Sequence, residues 1–136
     1  MTASPEQLQL MLLDGAVRYA QRGREALQKG DIEEAFNALE RAQRIVLELN
    51  SGLRREVNPE LVDQMAALYD FVYRRLIDAN IHREIEAADD ALRILRHQRE
   101  TWSLLIERLA RAATPQSPDK PDTSTNSQES SLSLEG

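Results

Sequence analysis

The chain contains no cysteine, which removes disulfides, thiolate metal sites and cysteine nucleophiles together. Aromatic residues make up only 4% of it, and β-branched residues are few, so little in it favours a sheet. Glycine-rich phosphate loops, nucleophile elbows and clustered metal-ligand motifs are absent from the sequence. No apolar run approaches the roughly 18 residues of a membrane-spanning helix, and the start lacks a basic region followed by an apolar stretch and a small-residue cleavage site. The expected location is cytoplasmic, in a reducing compartment, with no membrane insertion and no cofactor. Proline occurs five times, at Pro5 and Pro59, where helices are expected to begin, and at Pro115, Pro118 and Pro121 near the C-terminus. None interrupts a helical pattern.

What remains is rich in Leu, Ala, Glu and Arg, a composition of helix formers. Over 136 residues it has room for one domain and a tail. Net charge is −6. Asp119, Asp122, Glu129 and Glu135, set against Lys120, place a net −3 after residue 114. The rest is only mildly acidic, which excludes phosphate-driven binding to nucleic acid.

Ser4, Pro5 and Gln7 form a helix start, with a capping hydroxyl, a fitting backbone angle and a reciprocal amide. Helix 1 is predicted over Pro5–Lys29, with Gly30 closing it and Asp31 capping helix 2. Helix 2 carries Ile32, Ala35, Phe36, Leu39, Ala42, Val46 and Leu49 at helical spacing and ends near Gly52. Asn58 and Pro59 start helix 3, with Leu61, Met65, Leu68, Val72, Leu76 and Ala79 as its stripe. Residues 80–83 form the turn to helix 4, because one unbroken helix of about 55 residues would span some 80 Å. Helix 4 carries Ile85, Ala88, Ala91, Leu92, Leu95, Trp102, Leu105, Ile106 and Leu109 and stops before Pro115. These stripes predict an all-α, antiparallel up-down-up-down four-helix bundle over residues 1–113. The Ser/Thr/Pro-rich segment 114–136 has too few large apolar residues to offset its ordering entropy and is expected to be disordered.

The chemistry of known bundle sites is missing. Neither His82 nor His97 lies in a Glu-x-x-His pair, so a di-iron centre is not expected. Neither is followed by the Lys-Gly typical of phosphotransfer bundles, which leaves that reading requiring His82 or His97 to accept phosphate. Gly15 and Gly23 fit either close packing within the bundle or a close-contact site for a partner. Arg54, Arg55, Arg74 and Arg75 are the remaining charged candidates, with Asp70 and Asp78 one turn either side of Arg74 and Asp14 within reach of Arg18. Surplus apolar residues are the positive signal. Leu8, Leu10, Met11, Leu12 and Leu13 run most of the way round helix 1, more than a single buried stripe needs. Such a surplus suits a protein that binds another helix, or a helix buried on several sides in its own domain.

Four segments carry a resemblance: TASPEQLQLMLLDGA at residues 2–16, KGDIEEAFNALERAQRIVLELNSGL at 29–53, LYDFVYRRLIDAN at 68–80 and LRILRHQRETWSLL at 92–105. Together they resemble the flagellar export chaperone family FliS over nearly all of residues 2–112. The resemblance implies a non-enzymatic bundle whose partners are the C-terminal segment of flagellin and the flagellar type III export apparatus. It implies that the segment, disordered when free, folds into short helices in apolar grooves and is kept from polymerising. It also implies a short leader ahead of the TASPE block that can cover the groove. Here Met1 directly precedes Thr2, which leaves the groove uncovered or places the start upstream. Leu13 stands where the family usually has an aromatic residue.

The expected partner-binding set is Leu10, Leu13 and Val17 on helix 1, Ile45, Leu49 and Asn50 on helix 2, Tyr69, Tyr73, Leu76 and Asn80 on helix 3. The tyrosines form an i,i+4 pair with a hydroxyl at the end of each ring. Asn50 and Asn80 could hydrogen-bond an extended ligand. The rival reading is a self-associating structural bundle. The free chain is expected to be a monomer or weak homodimer.

Overall fold

Four helices make up the regular structure of this computed structural model, which describes residues 2–54, 56 and 58–113. They are α1 (Pro5–Lys29), α2 (Ile32–Ser51), α3 (Pro59–His82) and α4 (Ile85–Ala113). The all-α class is as expected. Expectations for the tail at 114–136 and for Arg55 lie outside the described residues.

The helix ends follow from side chains that satisfy free backbone groups. Gln7 N–H donates to Ser4 Oγ at 3.1 Å while Ser4 N–H donates to Gln7 Oε1 at 2.9 Å, a complete capping box. Gly30 sits at φ 79°. Its N–H reaches Leu27 O and the Asp31 N–H reaches Ala26 O, which closes α1 as a Schellman motif. Asp31 then accepts from Glu34 N–H at 3.2 Å to open α2. Asn58 does the same for α3 through Leu61 N–H. The α3–α4 turn has no glycine; Arg83 itself takes the left-handed conformation, φ 56°.

Contacts divide the described residues into two units, one running to Ile106 and the other beginning at Glu107. The described residues of the second, 107–113, are the last turns of α4 and are exposed throughout. Within the first unit one series of buried residues on each helix recurs in steps of three, four or their sum, the spacing of a supercoiled seam. On α1 they are Leu13, Ala16, Ala20 and Gly23; on α2 Ala35, Leu39, Ala42, Val46 and Leu49. On α3 they are Val62, Tyr69, Val72, Leu76 and Ala79, and on α4 Ala88, Ala91 and Leu95.

The end of the bundle holding the α1–α2 and α3–α4 turns is built from small residues and is closely packed. A Cβ on Gly23 would lie 2.5 Å from Leu39 Cγ, and one on Gly15 would lie 3.3 Å from Ile45 Cδ1. Both glycines therefore serve close packing of α1 on α2.

Charged side chains reinforce the same end. Arg75 pairs with Asp78 at 2.9 Å, Asp90 at 3.1 Å and Glu84 at 3.8 Å, tying α3 to the turn and to α4. Burial alone would lower the Arg75 pKa, but the hydrogen bonds and charges of Asp78 and Asp90 outweigh it and the pKa is raised. Arg24 pairs with Asp89 between α1 and α4, and Arg22 with Glu34 between α1 and α2. Two sequence expectations change here. Asp78 serves Arg75 rather than Arg74, and Asp14 faces Arg99 at 3.9 Å rather than Arg18.

Candidate functional site

The other end of the first unit holds the α1 start, the α2–α3 joint, the first half of α3 and the second half of α4. Between these segments lies an open cleft of about 600 Å3. Its walls are Pro5, Glu6 and Gln9 of α1; Gly52, Leu53 and Asn58 of the joint; Leu61, Val62, Met65 and Leu68 of α3; and Gln98, Trp102 and Leu105 of α4.

The cleft is a direct continuation of the core. Stepping outward in the same threes and fours leads α1 from Leu13 to Gln9 and Glu6, α2 from Leu49 to Leu53, and α4 from Leu95 to Gln98, Trp102 and Leu105. On α3 it leads from Tyr69 to Met65 and Val62. Every one of these positions lines the cleft. These seams thus run into it, but three positions carry polar side chains and no residue fills the middle. Leu61 and Leu68, seven residues apart beside the α3 seam, remain 50% and 37% exposed. A cleft whose walls are core positions lacks only the side chains of one more helix.

Tyr69 belongs to the core behind the cleft wall, next in sequence to the wall residue Leu68. Its ring is 1% exposed and its hydroxyl is buried with no hydrogen-bond partner. Burial pushes its pKa above the ordinary 10.0; the nearby Gln9 and Trp102 side chains offset this only in part, and neither reaches bonding geometry.

The ten residues expected from sequence fall into two groups. Leu13, Val17, Leu49, Tyr69 and Leu76 are buried in the core, so in this arrangement they offer no free surface. Leu10, Ile45, Asn50, Tyr73 and Asn80 are half-buried. None of the ten is a wall residue of the cleft. Asn50 donates to Asp70 at 3.1 Å and Asn80 to Gln43 at 3.1 Å, so both amides already serve the bundle.

The surplus on α1 and α3 was assigned to the opposite face. Leu61 and Leu68, read as core, are exposed, while Leu13 and Tyr69, read as groove, are core. The signal that finds the cleft is the polar break in the seams at Glu6, Gln9 and Gln98. His97 lies at the rim and His82 ends α3, both exposed. Among the described residues no group of three or more His, Cys, Asp or Glu could hold a metal ion, and no helix is long and apolar enough to cross a membrane.

A family model described as "Flagellar protein FliS" matches residues 1–109. The chain is 34% identical over 106 residues to the flagellar secretion chaperone FliS of Bacillus subtilis, covering 78% of each. It is 36% identical over 103 residues to the protein of that name from Salmonella typhimurium, covering 75% of this chain and 76% of the relative. A bacterial flagellar chaperone of known crystal structure shares the fold, with a TM-score of 0.72 at 20% identity over 79% of this chain and 88% of that one.

Proposed function

The chain belongs to the FliS family of flagellar secretion chaperones, and from that membership we propose that it holds the C-terminal segment of flagellin in the cytoplasm. Held there, flagellin does not polymerise before delivery to the flagellar type III export apparatus. The observation that carries this reading is the cleft, into which the core seams of α1, α3 and α4 run, with Leu53 just beyond α2. An amphipathic helix laid into it completes the bundle. Its apolar face meets Leu61, Leu68 and Trp102, and its polar face stays in water. Leu10, Ile45 and Tyr73 would extend the contact for a segment that wraps beyond the cleft.

The chemistry suits a holdase. A terminal segment that assembles through its apolar stripe cannot assemble while the stripe is covered. The entropy lost in ordering it offsets part of the contact energy and keeps the complex releasable. No catalytic step is part of this function.

Titration calorimetry of the full chain with about the last forty residues of the flagellin from the same source tests the proposal, with saturable one-to-one binding and a negative heat-capacity change expected. Absence of binding to a folded, monomeric sample contradicts it. A homodimer that competes with the segment would favour the self-associating bundle instead.

A further inference from the structure

The Tyr69 hydroxyl is anomalous within the core. Its oxygen is shut off from water yet has no partner, an arrangement that destabilises a folded protein. Phenylalanine would fill the same space without that penalty. The hydroxyl also lies at a particular place: it reaches toward Gln9 and Trp102, which are wall residues of the cleft. The Gln9 side chain is half-buried and lies beside the hydroxyl without reaching bonding geometry to it, so a change of its rotamer on binding would open the hydroxyl to the cleft.

We infer that Tyr69 is a polar anchor just behind the cleft wall, whose O–H, once Gln9 turns aside, donates to a carbonyl oxygen of the bound segment. This rests on the cleft being the flagellin-binding site and adds a requirement on the ligand: among the apolar side chains facing the wall, it presents one carbonyl. That carbonyl comes from an Asn or Gln side chain or from the main chain at a helix end, where carbonyls lack partners within the helix. The bond has a second consequence. An apolar cleft alone accepts any amphipathic helix of suitable size, whereas a buried donor left unsatisfied discriminates against helices without an acceptor at that depth.

The test compares wild type, Tyr69→Phe, Gln9→Ala and Leu68→Asp as full chains, by calorimetry with the flagellin segment and by thermal melting. Tyr69→Phe is expected to bind about three- to tenfold more weakly while melting at the same or a higher temperature. A purely structural tyrosine would not separate these readouts. Gln9→Ala, at a wall position of the cleft, is expected to lose less affinity than Tyr69→Phe, with the two losses adding in the double variant.

The inference is overturned if Tyr69→Phe binds as tightly as wild type while Leu68→Asp does not, a result that leaves the cleft itself intact as the site. It is overturned equally if Gln9→Ala loses as much affinity as Tyr69→Phe and the double variant loses no more, since Gln9 would then be the hydroxyl's partner. If wild type does not bind at all, the cleft reading fails and takes the anchor with it. Replacing each Asn and Gln of the segment by Leu separates the two carbonyl sources. Loss of the wild-type advantage at one position identifies a side chain; an advantage that survives every replacement identifies the main chain.

Discussion

At the turn end of the bundle, Ala20, Gly23, Ala26, Ala35, Ala38, Ala79, Ala87 and Ala88 let the helices approach closely, and the seams there are buried. At the cleft end the same seams carry Leu53, Met65, Trp102 and Leu105, larger and more apolar, yet these remain partly in water. Burial of apolar area drives folding, so a chain selected only for stability would put its large residues where they are covered. Along the seams the contrast separates two tasks: small residues and ion pairs hold the fold at one end, while large apolar residues at the other wait for a ligand.

The same substitution at the two ends breaks the comparison most severely if it is wrong. Leu76→Asp places a charge in a site with no exposure and is expected to cost more than about 4 kcal/mol, abolishing the helical circular dichroism signal. Leu68→Asp is expected to leave that signal intact and weaken flagellin binding by roughly two orders of magnitude. If Leu68→Asp unfolds the chain, the cleft wall is core and the distinction fails.

Gly23→Ala sharpens the contrast at the closed end. Alanine is the better helix former by about 1 kcal/mol, but its Cβ would overlap Leu39 Cγ. A net loss of about 1 kcal/mol is expected in urea denaturation, and a gain would show that α1 and α2 can separate. The smallest effect is at alkaline pH. With its folded pKa raised above 10.0, Tyr69 ionises first in the unfolded chain. Stability is therefore full below pH 10 and falls as pH rises above it, by at most about 1.4 kcal/mol per pH unit. Tyr69→Phe is expected to remove that part of the slope; an unchanged slope assigns it to other groups.

Much of the fold was legible because its determinants are local. Ser4 with Gln7, Gly30, Asp31, and Asn58 with Pro59 each satisfy backbone groups a few residues away. Arg83 carries no such mark, since a left-handed arginine is set by the turn around it. The cleft was harder to read. A period of 3.6 residues and a seam of alternating threes and fours differ by little over two turns. With leucines on adjacent faces, Leu61 and Leu68 read as core as easily as Val62 and Tyr69. Gln9 and Gln98 concealed the seam further, because a polar residue at a core position looks like surface until the opposing helices are in place.

The placement of the ligand is tested most directly by amide chemical-shift mapping of the full chain during titration with the C-terminal segment of flagellin. Large shifts confined to the first turns of α1, residues 52–68, and residues 97–105 are predicted, with the α1–α2 and α3–α4 turns unchanged. Shifts centred instead on Phe36 and Ile81, exposed apolar residues of α2 and α3 outside the cleft walls, would contradict the assignment of the cleft as the binding site.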